Sequence, residues 1–213
     1  MVYDWSQKYN KSLINEKYLL SSTTYSLNKN ETKFISIGLS VARNFEACII
    51  IHDANDRISI SLDDWYNILG RRSEVREYFK GSERNVSANM ALECDIQCFD
   101  YEGLKLIQIV YNPTMLDVVK GIILDEEAMN KLYTLSEIIN YLAEMLKNMS
   151  FKNFYNNMLL ASLSNPIYGV IENLNSLMCG THDSKKVACL MELLVLDPNT
   201  VEEDFEITKA VYK

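Results

Sequence analysis

Few side chains in this sequence are spaced for catalysis. The chain carries two histidines, His52 and His182, and five cysteines in 213 residues. His52 stands in the polar run His52-Asp53-Ala54-Asn55-Asp56, the setting of a surface turn, with no nucleophile beside it to serve. Cys179, His182 and Cys189 supply three zinc ligands at most, without a fourth and at a spacing that fits no common finger. Cys94 and Cys98 share one face of a predicted strand about 13 Å apart, too far to hold one ion together. Asp63-Asp64 and Asp125-Glu126-Glu127 resemble acid pairs for proton transfer. Both stand where a helix begins, where open amides and the helix dipole favour carboxylates. There is no Gly-rich phosphate loop and no nucleophile elbow. The expectation is a protein that is not an enzyme and that needs no metal or cofactor.

Binding chemistry is better represented. The net charge of −8 is unevenly spread. Up to Met90 there are 12 Lys and Arg against 11 Asp and Glu, whereas the remainder holds 9 against 18, and every Arg lies in the first part. An anionic partner belongs there. Within it, Ile35, Ile37, Leu39 and Val41 alternate with Phe34, Ser36, Gly38, Ser40 and Ala42, the period of a half-buried strand. The second set makes a small, uncharged face flanked by Lys33, Arg43, Phe45 and Arg57. Such a face suits unpaired bases that stack while phosphates meet cations. Cover by the N-terminal arm or by another subunit is the competing use of it. The corresponding face of the later strand at Met90–Cys98 carries Glu93, Asp95 and Gln97, which repel phosphate.

These residues need elements to position them. Residues 1–32 are rich in Ser, Thr, Asn, Lys and Tyr and read as a polar N-terminal arm. Residues 33–85 read as strands at 34–42, 47–51 and 58–62, then a helix opened by Asp63-Asp64, with Trp65, Ile68, Leu69, Val75, Tyr78 and Phe79 on its apolar side. Gly70 marks a bend in it. The order returns in residues 86–150: strands near 90–98, 104–111 and 116–124, then a long helix through Met129, Leu132, Leu135, Ile138, Ile139, Leu142 and Leu146. Residues 151–213 are helical over 151–163, 166–178 and 185–196, with an acidic stretch from Pro198 that reads as a tail or a docked strand. Laid over each other at a spacing of 63, the two helices match Asn67, Leu69, Ser73, Glu74 and Tyr78 with Asn130, Leu132, Ser136, Glu137 and Tyr141. The repeated order predicts an internal duplication.

The run Arg57-Ile58-Ser59-Ile60-Ser61-Leu62-Asp63-Asp64-Trp65-Tyr66-Asn67-Ile68-Leu69 resembles the strand-to-helix signature of the transcriptional positive cofactor four family. There a strand ending in Ile-Ser-Leu meets an acidic helix start, a Trp and a Leu. The resemblance covers residues 33–80. The related Whirly and Pur proteins pair two such sheet-plus-helix units. The resemblance implies an α+β fold in which two β-sheet-plus-helix repeats form an intramolecular pseudo-dimer, followed by a helical C-terminal region. It implies that Trp65 and Leu69 are core, and that Lys33, Arg43, Phe45 and Arg57 meet single-stranded DNA or RNA in transcription or replication. A protein-interaction module on the same fold, engaging other proteins through the acidic C-terminal half, is the alternative. A homo-oligomer is compatible with either. The odd cysteine count suits a reducing compartment, nucleus or cytoplasm. The polar Met1–Ser6 start and the lack of any run of 18 apolar residues predict neither secretion by a cleaved signal nor a membrane span.

Overall fold

The computed structural model describes residues 18–81, 94–111, 120–164 and 169–212, the side chains of Tyr111 and Lys120 excepted. The expected strand start at Met90, the acid Glu93, the Asn112-Pro113 stop and Pro166 lie outside the described residues. The protein is α+β. Four antiparallel strands, β1 (Leu20–Ser26), β2 (Phe34–Ser40), β3 (Glu46–His52) and β4 (Arg57–Ile60), form one sheet in sequence order. Two short helices follow, α1 (Leu62–Gly70) and α2 (Arg72–Phe79), broken at Arg71. A second antiparallel sheet comprises β5 (Cys94–Tyr101), β6 (Leu104–Tyr111) and β7 (Lys120–Leu124), again in order. The long helix α3 (Glu126–Asn148) comes next, then α4 (Phe151–Leu163), α5 (Val170–Met178), α6 (Ser184–Leu196) and α7 (Pro198–Tyr212).

Both sheets deliver the chain into a helix in the same way. In β4, Ile58 and Ile60 are buried and Ser61 caps α1, accepting from the Asp64 amide at 3.1 Å. In β7, Ile122 and Leu124 are buried and Asp125 caps α3, accepting from the Ala128 amide at 2.8 Å. The caps, Ser61 and Asp125, stand 64 residues apart, so the identities found at a spacing of 63 are one residue out of step with the structure. Val75 is 2 % exposed, for example, and Ile138 is 41 % exposed. The positions that share burial are Trp65 with Met129, Ile68 with Leu132 and Val75 with Ile139.

Two expectations are corrected at the chain's ends. The arm assigned to residues 1–32 contains a strand: residues 20–26 pair with β2 as the edge of the first sheet. Its polar composition follows from that edge position, where most side chains face outward. The segment from Pro198 is neither a tail nor a strand but α7. Val201, Asp204 and Thr208 recur at helical spacing and are buried, leaving Glu202, Glu203 and Glu206 outside. The buried Asp204 carboxylate accepts the Tyr155 hydroxyl at 3.0 Å, which fixes α7 to α4.

The inner faces of both sheets, α1, α2 and α3 enclose one core with Ile35, Ile37, Ile49, Ile51, Trp65, Ile96, Ile107 and Ile109. Helices α4, α5, α6 and α7 build a second core, into which β1 and β2 extend Leu20 and Leu39. The helix α3 packs on both sheets. No helix among the described residues is long and apolar enough to cross a membrane.

Candidate nucleic-acid interface

The outward face of the first sheet was expected either to meet unpaired bases or to be covered by the N-terminal arm or another subunit, and residues assigned to that arm cover most of it. Successive residues of a strand point to opposite faces, so the register sets out two outward rows. One runs Thr24, Ser36, Ile50, Ser59 and the other Ser26, Phe34, His52, Arg57. A bulge in β1 between Leu20 and Thr23, with Ser21 at φ 51°, turns Leu19 over the middle of the face. Leu19 packs on Cys48 and Ile50 there. This cover dictates Gly38: a Cβ at that position would stand 2.7 Å from Leu19 Cβ and 2.8 Å from the Leu20 carbonyl oxygen. Ser36 and Ser40 are buried as well, and the Ser40 hydroxyl accepts the Arg43 amide at 2.9 Å.

What stays accessible is the end row. The rings of Phe34 and His52 stack with centroids 5.3 Å apart and planes 21° from parallel. Arg57 is paired across from His52 and is exposed. The Ser36 hydroxyl lies 3.4 Å from His52 Nε2 and 2.8 Å from the exposed Thr24 hydroxyl. Burial lowers the pKa of His52, and the Arg57 guanidinium lowers it further against a smaller opposing pull from Asp53. The imidazole is therefore biased to its neutral form. Burial works to raise the Asp53 carboxyl, but the amides of Asp56 and Asn55, with Lys33 and His52, outweigh it and hold it below its ordinary value. That carboxylate closes the β3–β4 turn, accepting both amides at 2.8 Å.

The four residues expected to touch a strand do not form one patch. Lys33 and Arg57 stand at one end of the sheet, and Arg43 and Phe45 in the β2–β3 hairpin at the other, about 20 Å away along β2. The Lys33 ammonium donates to the Ile123 carbonyl of β7 and so bridges the two sheets. Phe45 is 7 % exposed and cannot stack on a base. Its ring meets Phe151 edge-on at 5.1 Å and Tyr155 at 5.0 Å, anchoring the hairpin to α4. An aromatic beside a polar turn reads as a surface platform; the distant helix that covers it leaves no local signal.

Sequence reasoning passed over Phe34 and His52 as a pair, although the β3–β4 turn and the β2 pattern together place them side by side. It read the second sheet only as an acidic, phosphate-repelling face. There Asp95 is not a bare acid, because the buried Arg71 donates through Nη1 to its carboxylate and through Nε to Glu74 at 3.2 Å. Phe99 and Tyr101 share the outward face with Gln97 and Gln108, and Tyr101 is 59 % exposed.

All five cysteines are free thiols, and burial pushes Cys98 and Cys189 up to about 11, well away from thiolate chemistry at neutral pH. Among the described residues no three of His, Cys, Asp and Glu converge on a metal position. Comparisons with family models, with curated proteins and with solved structures find no match for this chain.

Proposed function

We propose that this protein binds single-stranded nucleic acid without catalysis, through the row Phe34, His52 and Arg57 at the open end of the first sheet. The observation that carries the reading is the Phe34–His52 stack with a cation paired beside it on an otherwise covered face. A stacked pair offers a flat surface to one base, and Arg57 meets the adjoining phosphate. Lys33 adds positive potential from the sheet junction. The two sheet-plus-helix units act in this reading as an intramolecular pseudo-dimer; the matched strand–cap–helix steps at Ile60–Ser61 and Leu124–Asp125 support it. The second unit serves mainly as support, with Phe99 and Tyr101 as its outward aromatics. Strands exposed in transcription or replication are the fitting substrate. The net charge of −8 opposes long-range attraction, so affinity is modest.

The test is binding of labelled single- and double-stranded oligonucleotides at two salt concentrations. Single strands should bind better, and affinity should fall with salt by a slope of about −0.7 per phosphate contact. Arg57→Ala should flatten that slope by about one contact. Phe34→Ala should cost about 1–3 kcal/mol per stacked base and leave the slope nearly unchanged. No binding of any oligonucleotide at low salt would sink the reading.

One observation favours a second reading, a protein-interaction module. The acidic C-terminal half exposes Met191, Val195 and Leu196 on α6, with Val195 80 % exposed, and Val211 and Tyr212 at the end of α7. Association of the full chain that is lost on Val195→Glu, with oligonucleotide binding absent, would favour it.

A further inference from the structure

At the end of the first sheet opposite the stacked rings lies a cleft of about 420 Å³ between three parts of the chain. The β2–β3 hairpin contributes Arg43 and Glu46, the start of α1 contributes Leu62 and Asp63, and the α3–α4 elbow contributes Lys147, Ser150 and Lys152. Three cations from two segments, the hairpin and the elbow, thus line one space, against two carboxylates.

The elbow is unusual in its charge. Helix starts ordinarily carry a capping side chain and acids, because their amides are open and the dipole is positive there. In α4, Ser150 takes the left-handed conformation, φ 51° and ψ 43°, and makes no side-chain cap. The first turn has no acid and holds Lys152 instead. The hairpin opposite is held rigidly. Asn44 and Phe45 both have positive φ, 55° and 65°, a costly conformation for non-glycine residues. Phe45 is nevertheless locked by Phe151 and Tyr155. The Phe45 amide donates to the Ser40 carbonyl at 2.7 Å. Arg43 therefore lines the cleft, together with Lys152, from a hairpin whose backbone is held in place.

We propose that this cleft binds a phosphate group, held by Arg43, Lys147 and Lys152. Guanidinium and ammonium donors together suit a tetrahedral oxyanion, and a preorganised set keeps the ordering cost low. Glu46 and Asp63 leave one net positive charge, so binding is moderate and selective for a compact anion. The group could be presented by a free phosphorylated molecule or by a nucleic-acid backbone; the chemistry is shared and the test separates the sources.

Full-length protein is titrated with inorganic phosphate at constant ionic strength, by calorimetry and by thermal unfolding, and separately with short oligothymidylate. Lys147 is exposed and Lys152 half-exposed, so Lys147→Ala and Lys152→Ala are expected to fold, which circular dichroism checks. Phosphate should bind and raise the unfolding midpoint, each variant should weaken it about tenfold or more, Lys152→Arg should restore it, and Glu46→Gln should strengthen it. Oligothymidylate binding that falls in both lysine variants, with inorganic phosphate silent, supports a phosphodiester as the source. Absence of both effects, or binding equal in wild type and lysine variants, overturns the proposal. Oligothymidylate binding that falls on Arg57→Ala and not on Lys152→Ala, with inorganic phosphate silent, removes the cleft and leaves the sheet interface standing.

Discussion

Trp65 shows how one side chain ties the first unit to the long helix. It is fully buried in the shared core, and its indole Nε1 donates to Asn140 Oδ1 on α3 at 2.9 Å. Trp65→Ala should lower stability by about 3–5 kcal/mol, measured by denaturant unfolding. Wild-type stability in that variant would show the ring is placed elsewhere. Arg71 makes the complementary case for a charge. It is 7 % exposed and paired with Asp95, itself largely covered, across the gap between α1 and β5. Arg71→Ala should cost about 3–5 kcal/mol because it strands a buried carboxylate. Arg71→Met with Asp95→Leu should recover most of the loss, since the desolvation of both ions is then avoided. His52 gives a pH signature. Its folded pKa lies below the ordinary 6.5, chiefly through burial. Between those values the unfolded chain binds more protons than the native one, so stability rises with pH across that window. The contribution of this site is full above 6.5 and declines as pH falls through the folded value. Thermal midpoints below pH 6.5 should drop more for wild type than for His52→Gln. A bound phosphate backbone favours the imidazolium, so single-strand affinity should strengthen on acidification and the same variant should flatten that rise.

At the scale of elements, much was legible where pattern and chemistry coincide. Ile35, Ile37 and Leu39 alternate because they face the cores, and the alternation of Ile58 and Ile60 reads directly as strand. Gly70 and the polar Asp63-Asp64 pair placed the short helices, although Ser61 rather than an acid is the capping residue. The missed elements were missed for physical reasons. β1 is an edge strand, so its Thr and Ser residues carry no two-sided apolar signal. α7 hides its buried stripe among acids, and Tyr155, far away in sequence, is one of the groups that let Asp204 stand inside. The candidate interface was half legible: Arg57 keeps its place, while Phe45 went astray because burial by a helix a hundred residues away cannot be read locally. Gly38 belongs to the same lesson, since its need for no side chain comes from Leu19 crossing above it. Gly38→Ala should force β1 outward and cost about 1–3 kcal/mol. Protection of the β1 and β2 amides in hydrogen exchange should fall with it; unchanged protection would mean the crossing is absent.

Across the whole molecule the two cores are mechanically one. β2 places Ile35 and Ile37 in the first core and Leu39 in the second, so a single strand passes through both. The helix α3, 23 residues and about 35 Å long, runs beneath both sheets, and Leu146 in its last turn packs against each core. Either core would lose a wall if the other opened. A chain of 213 residues is large enough to unfold in stages, so cooperativity here is a property of the shared elements and can be measured. Leu159 is fully buried in the second core, remote from Trp65 in the first. In a Trp5→Phe background, Trp65 fluorescence should report the same denaturation midpoint as far-ultraviolet circular dichroism, which weights the C-terminal helices. Leu159→Ala should lower both midpoints together, by a free energy of about 2–5 kcal/mol. If only the dichroism transition moved while Trp65 kept its midpoint, β2 and α3 would not couple the cores, and the C-terminal helices would be a separately folding unit.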